Sequence, residues 1–426
     1  MGEGNRAARD RGRGDAPEYR PGPARSAGAA GRAVTAMATL CRPEVAVPEH
    51  VVTAEETLDL ARTLHAGHPQ LELALRLIAN TGVRTRHLVR PLEETLRHPG
   101  FEERNLRYEK EAKRRLPEVI DRALAHARLG TADIDMIVYV SCTGFMMPSM
   151  TAHLINGMGF RSDTRQLPVS QLGCAGGGAA VNRAHDFVTA YPDRNVLIVA
   201  CEFCSLLYQP TDLGVGSLLS NGLFGDAMAA VVVRGQGGHG IRLEHNGSHL
   251  VPGTEDWISY AVRDTGFHFQ LDKRVPGTMA VLAPAMRRMA APFAWDITGL
   301  DFYLVHAGGP RILDDLGRQL GLPPETFRHS RATLTERGNI ASAVVFDALD
   351  RLFTEGGPPP GARGLLAGFG PGITAEIALG HWSVPAPVTG AEAGAVSAEA
   401  DALTGAAAGF PVPREQEPPR GAAVVV

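Results

Sequence analysis

"LGTADIDMIVYVSCTG", residues 129–144, opens on an acidic turn, runs through a short β-branched stretch and ends at small residues. Such a run reads as a strand buried on both faces, the pattern of a parallel sheet covered by helices. Residues 295–309, "WDITGLDFYLVHAGG", repeat it; the first copy ends at Cys142 and the second at His306. The echo continues in "LGCAGGGAAVNRAHDF" (172–187) and "RGNIASAVVFDALDRLF" (337–353), which place Cys174 and Asn339 at the mouths of two small-residue helices. "GDAMAAVVVRG" (225–235) and "GFGPGITAEIALG" (368–380) then match as closing strands. Strands alternating with helices define an α/β layered fold, and the duplication predicts two similar halves about a pseudo-twofold axis. "RNVLIVACEF" (194–203) reads as a further strand, and residues 57–82 and 105–130 carry helical spacing that stops at glycine.

The chain has 426 residues, 44% hydrophobic and 21% charged, the balance of a soluble globular protein. A net charge of -4 argues against nucleic acid or an anionic membrane surface as partner. No apolar run is long enough for a membrane span, no signal-peptide core is present, and five cysteines without scaffold spacing fit a reducing cytoplasm. Residues 1–36 and 384–426 are rich in Ala, Gly and Pro and read as disordered extensions. The ordered part divides into 37–236, carrying Cys174, and 237–383, carrying His306 and Asn339.

Cys174 stands among Gly173, Ala175, Gly176, Gly177 and Gly178, too small to pack a structural thiol, so open space for a ligand is expected beside the sulfur. A helix N-terminus and a nearby imidazole can lower a thiol from about 8.5 into roughly the 3.5–7.5 range, which predicts a thiolate at neutral pH. His306 and Asn339 offer N–H donors suited to an enolate or oxyanion on a bound thioester. "CEFC" (201–204) lies along a strand with its sulfurs on opposite faces, and no second pair completes a zinc site, so both cysteines read as core or pocket lining and no metal is expected. "AGFGPGITAE" (367–376) leads into a strand rather than a helix, which argues against a nucleotide-binding loop.

Five stretches, "QLGCAGGGAAVNRAHDF", "VHAGGPRILDD", "ERGNIASAVV", "SNGLFGDAMAA" and "GFGPGITAE", resemble the type III polyketide synthases, chalcone-synthase-like enzymes of the thiolase fold, over residues 40–383. The resemblance implies a thiolase-like αβαβα layering and a homodimer, with malonyl-CoA as substrate and neither cofactor nor carrier protein. It makes Cys174 the acyl carrier, His306 and Asn339 the decarboxylation and enolate-stabilising pair, and Phe224 and Phe269 the gate between CoA tunnel and cavity. Cys142, Tyr260 and Ala341 fall at cavity positions, and Met147 falls on a methionine that reaches into the partner's cavity. A tyrosine hydroxyl can donate to the free carboxylate of a malonyl starter, which an apolar wall rejects. Arg76 and Arg311 fall to CoA, with Arg84 and Arg86 as further arginines at the tunnel mouth, while Asn80 stands where plant relatives carry lysine.

"VSCTGFMMPSM", "TEDWISY" and "GFHFQLDKRVPGTM" resemble bacterial members that use malonyl-CoA as starter and extender and fold a pentaketide into a naphthalene. A fatty acyl-CoA starter leading to pyrones or resorcinols remains open on the same scaffold. So does a thioester hydrolase using Cys174; a carrier-dependent ketoacyl synthase fits "GLFGD" less well, and an inert binding protein fits the intact trio less well.

Overall fold

The computed structural model describes residues 38–384 apart from His98, Thr211 and Leu213. The extensions expected over 1–36 and 384–426 lie outside the described residues, Val384 excepted. In chain order the strands are β1 (Thr39–Leu40), β2 (Glu44–Ala46), β3 (His50–Thr53), β4 (Thr85–Leu88), β5 (Met136–Val140), β6 (Arg165–Val169) and β7 (Asn195–Phe203). They continue with β8 (Asp226–Arg234), β9 (Gly240–Leu250), β10 (Ile258–Arg263), β11 (Gly266–Leu271), β12 (Phe302–Val305), β13 (Arg363–Gly370) and β14 (Thr374–Ser383).

The chain is a mixed α/β protein. Among the described residues, hydrogen bonding joins ten strands in the order β12-β13-β14-β9-β1-β8-β7-β5-β6, with β2 beside β8. The predicted echo is visible in the ladders: β5 pairs parallel with β7 and β7 antiparallel with β8, while β12 pairs parallel with β13 and β13 antiparallel with β14. The short β1 stitches the two sets together, antiparallel to β8 on one side and β9 on the other. All five residues of β5 and all four of β12 are buried, as both-face coverage requires.

The helices Gly176–Ala190 and Val344–Thr354 pack against strands of both sets and against each other, so they run through the middle of the molecule. The helical spacing over 57–82 resolves into two helices, Ala54–Leu64 and Leu71–Ala79. Gly67, at φ +81°, and Pro69 interrupt it, because neither sustains a helix interior. The other helical segment is the single helix Phe101–Ala127, capped by a left-handed Arg128 rather than by Gly130. No helix among the described residues is long and apolar enough to cross a membrane.

Candidate active site

Cys174 sits in a single 3₁₀ turn, Gly173–Ala175, directly ahead of the helix Gly176–Ala190. Asn339 precedes the matching 3₁₀ turn, Ala341–Ala343, ahead of the helix Val344–Thr354, and His306 follows β12. The structure brings all three together. Asn339 Oδ1 accepts from the Ala341 N–H at 3.0 Å and lies 3.2 Å from His306 Nε2, so Nε2 is the donor in that pair. The Asn339 side chain also lies beside the Cys174 thiol, close enough to favour its ionised form. Ala341 holds φ +49°, a left-handed conformation unusual for alanine, with its N–H turned onto Asn339. His306 is fixed from behind by its own N–H, which donates to the Ala367 carbonyl at 2.8 Å.

The glycines beside Cys174 do not leave room for a ligand. A Cβ on Gly177 would stand 2.2 Å from the Ser342 carbonyl oxygen, and one on Gly178 would meet the β13 backbone at 3.0 Å. Gly176 faces Val140 with the same lack of space. The small-residue stripe therefore serves the close approach of the two central helix entrances, which is what carries Asn339 to Cys174.

Burial opposes the poised thiolate expected from the helix N-terminus. It pushes the Cys174 thiol up to about 12 and the carboxyl of Glu202 adds to the rise, outweighing the Asn339 side chain. Burial drives His306 down to about 4, so no imidazolium stands by to support a thiolate. Both shifts favour the neutral thiol and the neutral imidazole. Together with the Asn339 amide they form a nucleophile, a proton acceptor and two N–H donors in one enclosed spot, a set suited to acyl transfer.

Phe224 and Phe269 meet edge to face with ring centroids 5.4 Å apart, and Tyr260 lies opposite Phe269 across the β10–β11 ladder. These three aromatics and Cys204 line a cleft of about 880 Å³, counting its open mouth. Cys174, His306 and Asn339 are not in its wall; the connection runs through Phe224, whose neighbours ladder with Asn339. Cys142 lies beside the trio, its N–H donating to Glu202 at 3.1 Å and its thiol turned to the same carboxylate. Met147 is 91% exposed. Cys201 is core within β7, whereas Cys204 lies past the strand end in a 3₁₀ turn and faces the cleft, so the strand alternation expected of "CEFC" does not reach it.

Of the arginines assigned to CoA, Arg76 and Arg84 are exposed, and Arg311 is exposed beside Asp315 at 3.8 Å. Arg86 departs from its expected place. It lies in the cleft wall but is buried, with its guanidinium engaged by backbone carbonyls rather than open to a phosphate.

Comparison with known proteins places this geometry. Residues 25–237 match the profile of chalcone and stilbene synthases, N-terminal domain, and residues 242–384 match the C-terminal domain of the same family. The chain belongs to the chalcone and stilbene synthases, the type III polyketide synthases. It is 73% identical over 347 residues to the 1,3,6,8-tetrahydroxynaphthalene synthase of Streptomyces griseus, spanning 82% of this chain and 93% of that one. It is 46% identical over 350 residues to the phloroglucinol synthase of Pseudomonas fluorescens, spanning 82% and 100%. Among solved structures, the 1,3,6,8-tetrahydroxynaphthalene synthase of Streptomyces coelicolor superposes with a TM-score of 0.80 at 71% identity, covering 81% of this chain and 99% of that one.

In this polyketide synthase the residue that sequence reasoning passed over is Glu202. It is fully buried in β7 and gathers the Ser342 hydroxyl, the Thr143 hydroxyl at 2.9 Å and the Cys142 N–H. The signal was available: a lone acid in the otherwise apolar "NVLIVACEF" is unusual for a strand buried on both faces. Burial raises the carboxyl to about 7, against its hydrogen-bond donors. A folded-state value above the unfolded one means that its contribution is fully present below about pH 4.5 and is lost as pH rises through 7. Between those limits the wild type should therefore lose up to about 3 kcal/mol of stability relative to Glu202→Gln. Asp226, raised to about 6, titrates in the same window but is common to both proteins. Urea unfolding of both at about pH 5 and pH 8 checks this; parallel curves would contradict it.

Proposed function

We propose that this polyketide synthase makes 1,3,6,8-tetrahydroxynaphthalene from malonyl-CoA alone. The observation that carries the reading is the 73% identity to a synthase of that name over 93% of its length. The site's chemistry supports it. Cys174 attacks the starter thioester, and the thiol proton leaves with the CoA sulfur. A second malonyl-CoA loses CO₂, and the enolate forms with its oxygen toward the His306 and Asn339 N–H donors. Its carbon attacks the Cys174 thioester, which releases the sulfur for reloading. One starter and four extensions give a pentaketide that closes, loses its terminal carboxyl and aromatises.

The αβαβα thiolase-like arrangement of two pseudo-twofold halves belongs to the same proposal, supported by the repeated ladders and the paired 3₁₀ turns before the central helices. So does a homodimer, supported by the exposure of Phe145 and Met147. The test is incubation with malonyl-CoA as sole substrate. A product with the mass of tetrahydroxynaphthalene, or of flaviolin formed from it in air, is expected; free CoA without a carbon–carbon bond would favour a hydrolase.

The apolar wall formed by Leu60, Leu64, Leu92, Leu96 and Leu218 favours a second reading, a fatty acyl-CoA starter. Tyr260→Phe separates the two. One charge-assisted hydrogen bond is worth about 1.5–3 kcal/mol, so loss of the hydroxyl should lower kcat/KM with a malonyl starter roughly 10- to 100-fold. Turnover primed by hexanoyl-CoA should stay within about twofold, because that tail offers the hydroxyl no acceptor. Equal losses with both starters would remove the carboxylate role of Tyr260.

A further inference from the structure

Arg86 has no part in the reading above, yet its side chain touches both halves of the site. It lies on β4, buried, and its guanidinium donates to three neutral acceptors: the Asn221 carbonyl at 2.6 Å, the Phe224 carbonyl at 3.0 Å and the Thr57 hydroxyl at 2.8 Å. Asn221 belongs to the last turn of the helix Val215–Leu223, where carbonyls lack intrahelical partners, and Phe224 is its C-cap. The fork thus closes that helix end at the gate.

The gate segment is in turn bonded to the catalytic loop. The Asn339 N–H donates to the Leu223 carbonyl at 2.9 Å, and the Gly225 N–H donates to the Asn339 carbonyl at 3.1 Å. Glycines on both strands of this small parallel bridge let the backbones close on the arginine stem. A Cβ on Gly225 would stand 2.2 Å from the Arg337 carbonyl oxygen and 3.6 Å from Arg86 Cβ. A Cβ on Gly338, at φ +72°, would stand 2.6 Å from the Leu223 carbonyl oxygen and 3.0 Å from Arg86 Cγ. Asp226, two residues past Phe224, faces the guanidinium and accepts from the Val89 and Ser205 N–H groups, so the segment is pinned on its other side as well.

We propose that Arg86 is a positioning residue: by holding the Phe224 carbonyl while its stem packs against Gly338, it sets the gate and Asn339 in register as one unit. The Phe224 backbone is then fixed, and opening of the gate is rotation of its ring. The reach of a planar fork to three acceptors at once is what lysine cannot reproduce, since a single ammonium has no fixed geometry. This inference rests on the proposed role of Asn339 toward Cys174 and the enolate, and its test has a readout that does not depend on the product.

In Arg86→Lys the steady-state kcat for malonyl-CoA should fall roughly 10- to 100-fold, the scale of a small misplacement of a catalytic group, with KM within about threefold. Alkylation of Cys174 by iodoacetamide, followed by peptide mass mapping, should slow about fivefold, because Asn339 no longer supports the sulfur. A folded Arg86→Lys protein with wild-type kcat and alkylation rate, whatever its melting temperature, would reduce Arg86 to a structural tie and overturn the proposal. A rise in KM alone would overturn it in favour of CoA binding. If Arg86→Lys does not fold, Thr57→Val removes one anchor of the guanidinium while leaving the gate bonds; a kcat fall of about threefold at constant KM supports the proposal, and an unchanged kcat sinks it. Should the wild type turn over no malonyl-CoA, the proposed function falls, while the alkylation rates still decide the role of Arg86.

Discussion

Cys174→Ala should lower formation of aromatic product from malonyl-CoA by about 10⁴-fold or more, the loss that follows removal of a covalent nucleophile. The size follows from the geometry. Cys142 and Cys204 are near enough to Cys174 for their charges to be felt, but neither shares the Asn339 side chain, and burial raises both thiols well above their usual value. Neither is placed to take over the acyl chain at Asn339 and His306. Product assayed by mass spectrometry against a heat-killed control checks this. Residual turnover above about 1% would mean that the chain grows on another residue.

Asn339→Ala should reduce kcat by roughly 10²- to 10³-fold, the cost of one donor aimed at a developing oxyanion. Two effects combine. The enolate loses an N–H donor, and the Cys174 thiol, already at about 12, loses the side chain that opposes its rise. Because Oδ1 also receives the Ala341 N–H, truncation leaves that buried donor unpaired at the left-handed residue, so some loss of stability accompanies the loss of rate. Measurement of malonyl-CoA decarboxylation, as release of CO₂ or acetyl-CoA, isolates the enolate step. A variant that decarboxylates at the wild-type rate yet makes no aromatic product would remove Asn339 from that step.

The duplicated strands were legible because each is covered on both faces, which writes an apolar run such as "MIVYV" into the chain with no partner needed to decode it. Cys174, His306 and Asn339 were legible for a related reason: the repeat set Cys174 and Asn339 at equivalent helix mouths and His306 at a strand end matching that of Cys142. What surrounds them was hidden, because it depends on which distant segment arrives. Gly177 means open space when read locally and a helix junction once the Ser342 carbonyl is seen beside it. Arg86 reads as an arginine at the tunnel mouth until the helix end at Asn221 and Phe224 closes over it. The thiol's state was misread for the same cause. Proximity to a helix N-terminus is visible in sequence, whereas the desolvation that outweighs it is a property of the assembled core.

The central claim is that malonyl-CoA alone supplies every carbon of the product, assembled on Cys174. Supplying malonyl-CoA labelled with ¹³C at the methylene carbon as sole substrate, and counting labels in the purified product by mass spectrometry, tests it most directly. Five labels in a ten-carbon naphthalene, absent with Cys174→Ala, are the expected result. A product that forms only when a fatty acyl-CoA is added, carrying an unlabelled tail, would contradict it.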